Sequence, residues 1–175
     1  GYQVLLLDSP IIPHLIQKLE SDNSGLTFVR VDSDHIDNLI KKEETAISKL
    51  STEEQESLKT VVETIVPKQT YTVQLEALDS SAAPFIITQP EFMRRMKEMS
   101  QTGGGGMFGL GNFPEMYNLV VNTNSDLATS ILNNEDKTVQ ENLVKQALDL
   151  AKLSQNLLKG EALTAFVKRS FEMIK

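Results

Sequence analysis

The C-terminal third of the chain constrains the fold most, because apolar residues recur there at helical spacing over unusually wide faces. Within residues 141–159, a stripe with 4-3-4-3 spacing comprises Leu143, Ala147, Leu150, Ser154 and Leu157, and a second stripe beside it comprises Val144, Leu148, Ala151 and Leu158. If residues 161–175 form a helix, one side of it carries Leu163, Phe166, Val167, Ser170, Phe171 and Ile174. Gly160 between them is a favourable helix stop, so two helices, the first running to about Lys159, are predicted to form a hairpin.

A helical hairpin with two apolar faces can pack inward through one face and self-associate through the other. Two copies would then form a four-helix bundle about a two-fold axis. Each fully buried Leu or Phe contributes about 1.5–3 kcal/mol, which is enough for these positions together to hold a homodimer. The alternative is a wholly intramolecular core that covers both faces, and the pattern leaves both open.

The N-terminal part of the chain shows a strand–helix–strand pattern. The apolar run Tyr2–Asp8 is typical of a buried strand, residues 9–20 have helical spacing after Pro10, and residues 26–31 alternate as a strand does. We therefore expect a βαβ unit whose sheet is incomplete. Because the chain begins at Gly1 directly before this unit, we expect it to be a piece of a longer protein.

Polar residues from Asp32 to about Glu56 predict a linker that leads into a helix ended by Pro67. Its capping box is either Ser51 with Glu54 or Thr52 with Gln55. Three strands are predicted after it, at residues 70–78, with alternate side chains facing inward, at 83–89 and at 117–123. A short helix capped by Asn124, Ser125 or Asp126 follows, and then a longer one capped by Asp136 or Thr138. This pattern predicts an α+β fold.

Residues 96–117 hold six of the nine glycines, and Gly104, Gly106 and Gly109 match the G-x-G-x-x-G pattern. A phosphate site needs such glycines between a strand and a helix N-terminus, whereas here the predicted helix precedes and the strand follows. The match therefore reflects glycine density. The helix before the loop carries Phe92, Met93, Met96 and Met99 on one face, and Met107 and Phe108 follow. Methionine adapts to varied apolar partners, so these residues are either a promiscuous contact surface or ordinary core.

Composition excludes several classes of function. A net charge of −7 argues against nucleic-acid and anionic-membrane partners, and no apolar run approaches the length of a membrane span. The absence of Cys excludes thiolate chemistry and fits a reducing compartment. The histidines His14 and His35 belong to no recognisable catalytic or metal motif, and the acidic group around His35 (Asp32, Asp34, Asp37) has no EF-hand spacing. We expect no enzyme activity, cofactor or metal in this segment.

Five stretches of the sequence resemble one family. "GYQVLLLDSPI" resembles the last βαβ piece of the middle domain of the ninety-kilodalton heat-shock protein family, whereas "FMRRMKEM" and "YNLVVNTNSDL" resemble its C-terminal domain. "LVKQALDLAKLSQ" with "ALTAFVKRSFEMI" resembles the family's closing dimerisation helices. The resemblance covers almost the whole chain. The chain ends in "FEMIK" and lacks the acidic tail that docks helical-repeat co-chaperones in some members of the family. In this respect it resembles the bacterial form of the family.

This resemblance implies that residues 1–33 are the last βαβ piece of the middle domain and that residues 34–50 are a linker. Residues 51–175 would then be the C-terminal dimerisation and client-contact domain. It implies that Phe92, Met93, Met96, Met99, Met107 and Phe108 contact non-native client proteins. It also implies that the homodimer interface comprises Leu143, Ala147, Leu150, Ser154, Leu157, Leu163, Phe166, Val167, Ser170, Phe171 and Ile174. The full-length protein is then expected to be a cytoplasmic ATPase that uses ATP and magnesium in a domain outside these residues. The alternative function is a non-chaperone homodimeric adaptor with one fixed partner.

Overall fold

The computed structural model describes residues 4–7, 9, 11–28, 30–31, 46–90, 93 and 116–174. In these residues it contains five helices and three strands, namely α1 (Ile12–Asp22), α2 (Thr52–Ile65), β1 (Tyr71–Glu76), β2 (Phe85–Thr88), β3 (Tyr117–Asn122), α3 (Asp126–Asn133), α4 (Lys137–Ser154) and α5 (Gly160–Ile174). The predicted α+β class is confirmed. All three strands of the predicted central region are present.

The sheet has the order β1–β3–β2, so the last strand in the chain lies at its centre. Strand β3 runs parallel to β1, with Tyr117 opposite Tyr71, and antiparallel to β2, with Val121 opposite Phe85. Leu119, Val120 and Val121 are all fully buried. A strand whose apolar side chains are buried on both faces is suited to the central position, because both faces of a sheet are covered best at its centre.

The hydrophobic core lies between one face of the sheet and helices α2, α3 and α4. The sheet supplies Val73, Phe85, Ile87 and Leu119 among others, and the fully buried helical residues opposite them are Leu58, Val62, Ala128, Ile131 and Val144. Helix α2 packs against β1, α4 packs against β2, and α3 contacts both of these helices. The Tyr71 and Tyr117 rings stack at a centroid distance of 6.0 Å across neighbouring strands.

Side-chain caps define where the helices begin. Ser51 Oγ accepts a bond from the Glu54 backbone N–H at 3.2 Å, and the Ser51 N–H donates to Glu54 Oε2 at 2.8 Å, so this pair forms the capping box of α2. Ser125 caps α3 and Asp136 caps α4. Each is one of the alternatives that the sequence allowed, and the structure selects it.

The prediction that α4 continues to about Lys159 and stops at Gly160 is wrong. The helix ends at Ser154, and Asn156 adopts the left-handed conformation with φ 58°. The Leu157 N–H then donates to the Lys152 carbonyl at 2.8 Å, as in a Schellman motif. Gly160 instead begins α5. Asparagine tolerates the left-handed region better than other residues with a Cβ, so it ends the helix here without a glycine.

Of the predicted βαβ unit, the described residues show only the helix. Helix α1 forms, but Val4–Leu7 and residues 26–28 and 30–31 contain no strand. Helix α1 has no buried residue, and Val4, Leu6 and Ile11 are exposed. A strand is stable only beside another strand that completes its hydrogen bonds, and the described part of the chain places none beside these segments.

Candidate functional site

One apolar stripe of helix α4 faces the hydrophobic core of the chain. Val144, Ala147, Leu148 and Ala151 are all buried, at positions one face of a helix presents together. They pack in the same cluster as Ile131 of α3 and Phe85 of β2. Three of these four residues belong to the second stripe of the sequence pattern. That stripe is therefore used within the chain and is not available to a partner.

The hairpin leaves a second set of apolar side chains exposed, which we call the hairpin surface. It consists of Leu150 (52% exposed), Leu153 (43%), Leu157 (37%), Val167 (43%), Phe171 (67%) and Ile174 (81%). On α5 the spacing i, i+4, i+7 places Val167, Phe171 and Ile174 on one face. Exposed apolar residues that are grouped in this way, rather than scattered singly, are typical of an interaction site.

The residues predicted for the dimer interface divide into three groups. Ala147 and Phe166 are buried inside the chain, at 5% and 8% exposure. Leu143, Leu163 and Ser170 are partly buried, and the exposed members are Leu150, Ser154, Leu157, Val167, Phe171 and Ile174. Leu153 is also exposed but was not among the predicted residues, because it lies beyond the edge of the first stripe, on the side away from the second.

A polar network crosses between α4 and α5. Arg169 donates from Nη2 to Asp149 Oδ2 at 2.7 Å and from Nε to Gln146 Oε1 at 2.9 Å. Gln146 Nε2 donates to Ser170 Oγ at 2.8 Å, and Lys152 pairs with the other oxygen of Asp149 at 3.0 Å. Phe166 of α5 and Leu158, which precedes α5, are both buried, at 8% and 4% exposure. The network therefore helps to set how α5 lies on α4.

The predicted client-contact residues lie almost entirely outside the described part of the chain. Met93 is helical and partly buried. The other residues of this prediction, Phe92, Met96, Met99, Met107 and Phe108, lie outside the described residues, as do Gly104, Gly106 and Gly109. The client-contact role therefore stays a prediction.

Sequence reasoning also missed a buried polar cluster at the end of β3. Asn122, Thr123, Asn124 and Ser125 are exposed by 6% or less, although all four are polar. The "NTNSD" turn indicated a helix cap, and Ser125 does cap α3. The two asparagines instead bind distant segments of the backbone. A run of polar residues directly after an apolar strand was the available signal, but only the fold shows its partners.

No protein-family model matches the chain. A chaperone protein HtpG of Porphyromonas gingivalis is 41% identical over 156 residues, covering 87% of this chain and 23% of the relative. HtpG of Bacteroides thetaiotaomicron is 32% identical over 241 residues, covering 99% of this chain and 35% of that relative. The corresponding Bacteroides fragilis protein is 31% identical with the same coverage.

The chain belongs to the bacterial HtpG form of the ninety-kilodalton heat-shock protein family. It spans about a quarter to a third of the length of the HtpG relatives that it matches. The alignment with the Bacteroides proteins extends over 241 residues, more than the 175 of this chain, so those HtpG proteins carry residues with no counterpart here.

In the part of this chain that the structure describes, no group of three or more His, Cys, Asp or Glu side chains is arranged to hold a metal ion. His14 lies on α1, and the acidic group Asp32, Asp34, His35 and Asp37 lies outside the described residues. Among the helices described, none combines the length and the apolar character needed to cross a membrane.

Proposed function

We propose that this chain is the C-terminal module of a bacterial HtpG chaperone, and that it joins two copies of the protein through the α4–α5 hairpin. The single observation that carries the proposal is the hairpin surface. One stripe of α4 is buried within the chain, whereas Leu150, Phe171 and Ile174 remain exposed by 52%, 67% and 81%. A second copy placed about a two-fold axis would cover this surface and complete a four-helix bundle.

The energetic contribution of the hairpin surface to a dimer follows from its apolar side chains. Fully burying a Leu, Val, Ile or Phe side chain contributes about 1.5–3 kcal/mol. Six such side chains in each copy are partly exposed before association. Association must offset the lost translational and rotational freedom of one copy, about 4–15 kcal/mol. The gain from these side chains is comparable with that cost, so the hairpin surface can supply a large part of the free energy that association needs.

The second part of the proposal concerns client proteins. The segment Phe92–Phe108, with Met93, Met96, Met99 and Met107, offers flexible apolar side chains to non-native proteins. Its support is the family and the clustering of methionine, whose unbranched thioether adapts to different apolar surfaces. In the dimer, two such segments would face the same client from both copies.

The remaining parts of the proposal follow from family membership. Residues 1–33 would be the end of a middle domain, 34–50 a linker and 51–175 the dimerisation module. ATP and magnesium would be used by an N-terminal domain outside this chain, and the full protein would act in the cytoplasm. The module itself would tether two ATPase arms, so that nucleotide-driven closure acts across a single cleft.

The deciding experiment is sedimentation of the chain over a dilution series in the micromolar range. We expect the mass of a homodimer, which is about twice the 19.5 kDa of one chain, to persist on dilution. A mass of one chain at every concentration would exclude the hairpin as a stable interface.

A non-chaperone homodimeric adaptor would use the same dimer and a single fixed partner. The two functions separate in an aggregation assay with several unrelated unfolded proteins. A chaperone module suppresses aggregation of more than one of them, whereas an adaptor with one partner suppresses none.

A further inference from the structure

Three segments that are distant in sequence meet at the C-terminal end of β3. They are the stretch Ile47–Leu50 before α2, the β1–β2 connection at residues 77–84, and the β3–α3 turn at residues 122–125. The contacts centre on Asn122 and Asn124, which are 0% and 6% exposed. We call Ile47–Leu50 the anchored segment, and the two asparagines the anchor.

Asn122 holds the β1–β2 connection. Its Oδ1 accepts bonds from the Leu78 N–H at 3.2 Å and the Asn124 N–H at 3.0 Å. Its Nδ2 donates to the Asp79 carbonyl at 2.9 Å. A carboxylate here could accept but not donate, and an apolar side chain could do neither, so the amide satisfies backbone groups that would otherwise be buried without partners.

Asn124 joins the β1–β2 connection to the anchored segment. Its Oδ1 accepts from the Lys49 N–H at 2.7 Å, and its Nδ2 donates to the Ile47 carbonyl at 3.1 Å and the Leu78 carbonyl at 3.0 Å. The amide therefore uses both of its donors and its acceptor on main-chain groups. Because these partners are backbone atoms, the attachment does not depend on which side chains residues 47 and 49 carry.

Further contacts hold the rest of the anchored segment. Ser48 Oγ donates to Thr123 Oγ1 at 2.9 Å, and Lys49 Nζ donates to the Asn124 carbonyl at 3.4 Å. Leu50 is 9% exposed in the core, and its carbonyl accepts from Gln55 Nε2 at 2.9 Å. The Ile47 side chain, in contrast, is 87% exposed. Residue 47 is thus held by its backbone and not by hydrophobic packing.

We propose that Asn122 and Asn124 hold the anchored segment on the sheet as part of the same rigid unit as α2 and α3, so that this unit begins at Ile47 and not at Ser51, where α2 begins. Moving Ile47–Leu50 relative to the sheet would require breaking the buried bonds of Asn124. Each broken bond would leave a buried polar group unpaired.

The test is a spin-label distance measurement between residue 47 and α3. The chain contains no Cys, so Ile47→Cys with Thr129→Cys gives one labelled pair at two exposed positions. We expect one narrow distance distribution in this parent protein. Asn124→Asp keeps the shape but removes both donations, to the Ile47 and Leu78 carbonyls, and should broaden the distribution and shift it to longer distances.

A second variant addresses the same bond from the anchored segment. Lys49→Pro removes the N–H that donates to Asn124 Oδ1 and should broaden the distribution, whereas Lys49→Ala retains that N–H and should leave it narrow. If Asn124→Asp fails to fold, these two Lys49 variants still show whether the bond to Asn124 Oδ1 fixes residue 47. Val144→Ala, in the core and away from the anchor, should lower the melting temperature and leave the distribution narrow.

A broad distribution in the parent protein would overturn the proposal, because residue 47 would then not be fixed. So would a distribution that stays narrow in both Asn124→Asp and Lys49→Pro. Equal broadening in Val144→Ala would overturn it as well, since the effect would reflect general loosening of the module. In each measurement the doubly labelled chains are mixed with an excess of unlabelled chains, so that label pairs between two copies do not contribute when the hairpin dimerises.

Discussion

Arg169 of α5 and Asp149 of α4 are joined by a charged hydrogen bond of 2.7 Å from Nη2 to Oδ2, with only 21% and 15% of their side chains exposed. The Arg169 guanidinium also lies 5.9 Å from the centre of the Phe166 ring, one turn earlier on α5. This pair therefore connects the two helices of the hairpin at a place where water screens the charges weakly. Its loss should loosen the surface that we propose for dimerisation.

Arg169→Ala should lower the free energy of unfolding by about 1–3 kcal/mol, because Asp149 and Gln146 would each lose a partner in a partly buried site. It should also weaken the dimer, since α5 would no longer be held in one orientation. The measurements are chemical denaturation at a fixed protein concentration and sedimentation of the same samples.

Lys168→Ala is the matched control, because Lys168 is the neighbouring cation on α5 but is exposed. It should change the free energy of unfolding by less than about 0.5 kcal/mol. Equal losses of unfolding free energy in Arg169→Ala and Lys168→Ala would mean that stability depends on the positive charge of α5 in general and not on the bond from Arg169 to Asp149.

Leu150→Asp and Phe171→Asp should each convert the dimer to single chains. Association would bury an unpaired carboxylate in the bundle, and the cost of burying such a charge without a partner is several kcal/mol. Both side chains are more than half exposed in the single chain, so its fold should survive, as circular dichroism would show. Sedimentation gives the mass of the particle.

Ile11→Asp is the control for these two variants, since Ile11 is 66% exposed and lies outside the hairpin. It should leave the mass unchanged. If Leu150→Asp or Phe171→Asp keeps the mass of a dimer over the same dilution range as Ile11→Asp, the interface does not lie on the hairpin surface.

Met96→Asp combined with Met99→Asp should reduce binding of unfolded clients and leave the dimer intact. Charged side chains on the predicted apolar face would have to be desolvated on contact with an apolar client. Suppression of client aggregation and sedimentation are measured in parallel.

Ser100→Asp combined with Gln101→Asp adds the same charge to the same part of the sequence without removing methionine. This control should keep client binding. Dissociation of the dimer in the methionine variant would contradict the division of roles between the Met-rich segment and the hairpin.

Asn156 should respond in opposite directions to two small substitutions. Its φ of 58° is in the left-handed region, which glycine adopts at no steric cost and alanine does not. Asn156→Gly should raise the free energy of unfolding by about 0.5 kcal/mol, and Asn156→Ala should lower it by about 1 kcal/mol. Thermal and urea denaturation measure both. A stabilising Asn156→Ala would show that the end of α4 does not require this conformation.

Local signals in the sequence were enough to predict individual strands, helices and caps. The alternation of side chains over residues 70–78 predicted β1, and the helix predicted to end at Pro67 is α2, because strand and helix periods follow from backbone geometry alone. Candidate caps such as Ser51 and Ser125 were found for the same reason, since a cap bonds to backbone within three residues. The stretches shared with the family indicated membership before any fold was known.

Which elements are neighbours, and which face of each is buried, depends on how the whole chain packs. Nothing local places β3 between β1 and β2, or tells that Ala147 is buried while Leu150 is exposed, because both follow from how the helices pack on the sheet. The apolar run Val4–Leu7 satisfied the local pattern of a strand and formed none among the described residues, since pairing requires a second strand. The contacts of Asn124 with Ile47 and Lys49 span more than seventy residues. A hydrogen bond over that distance in sequence is a property of the fold, because only the packed chain brings its donor and acceptor together.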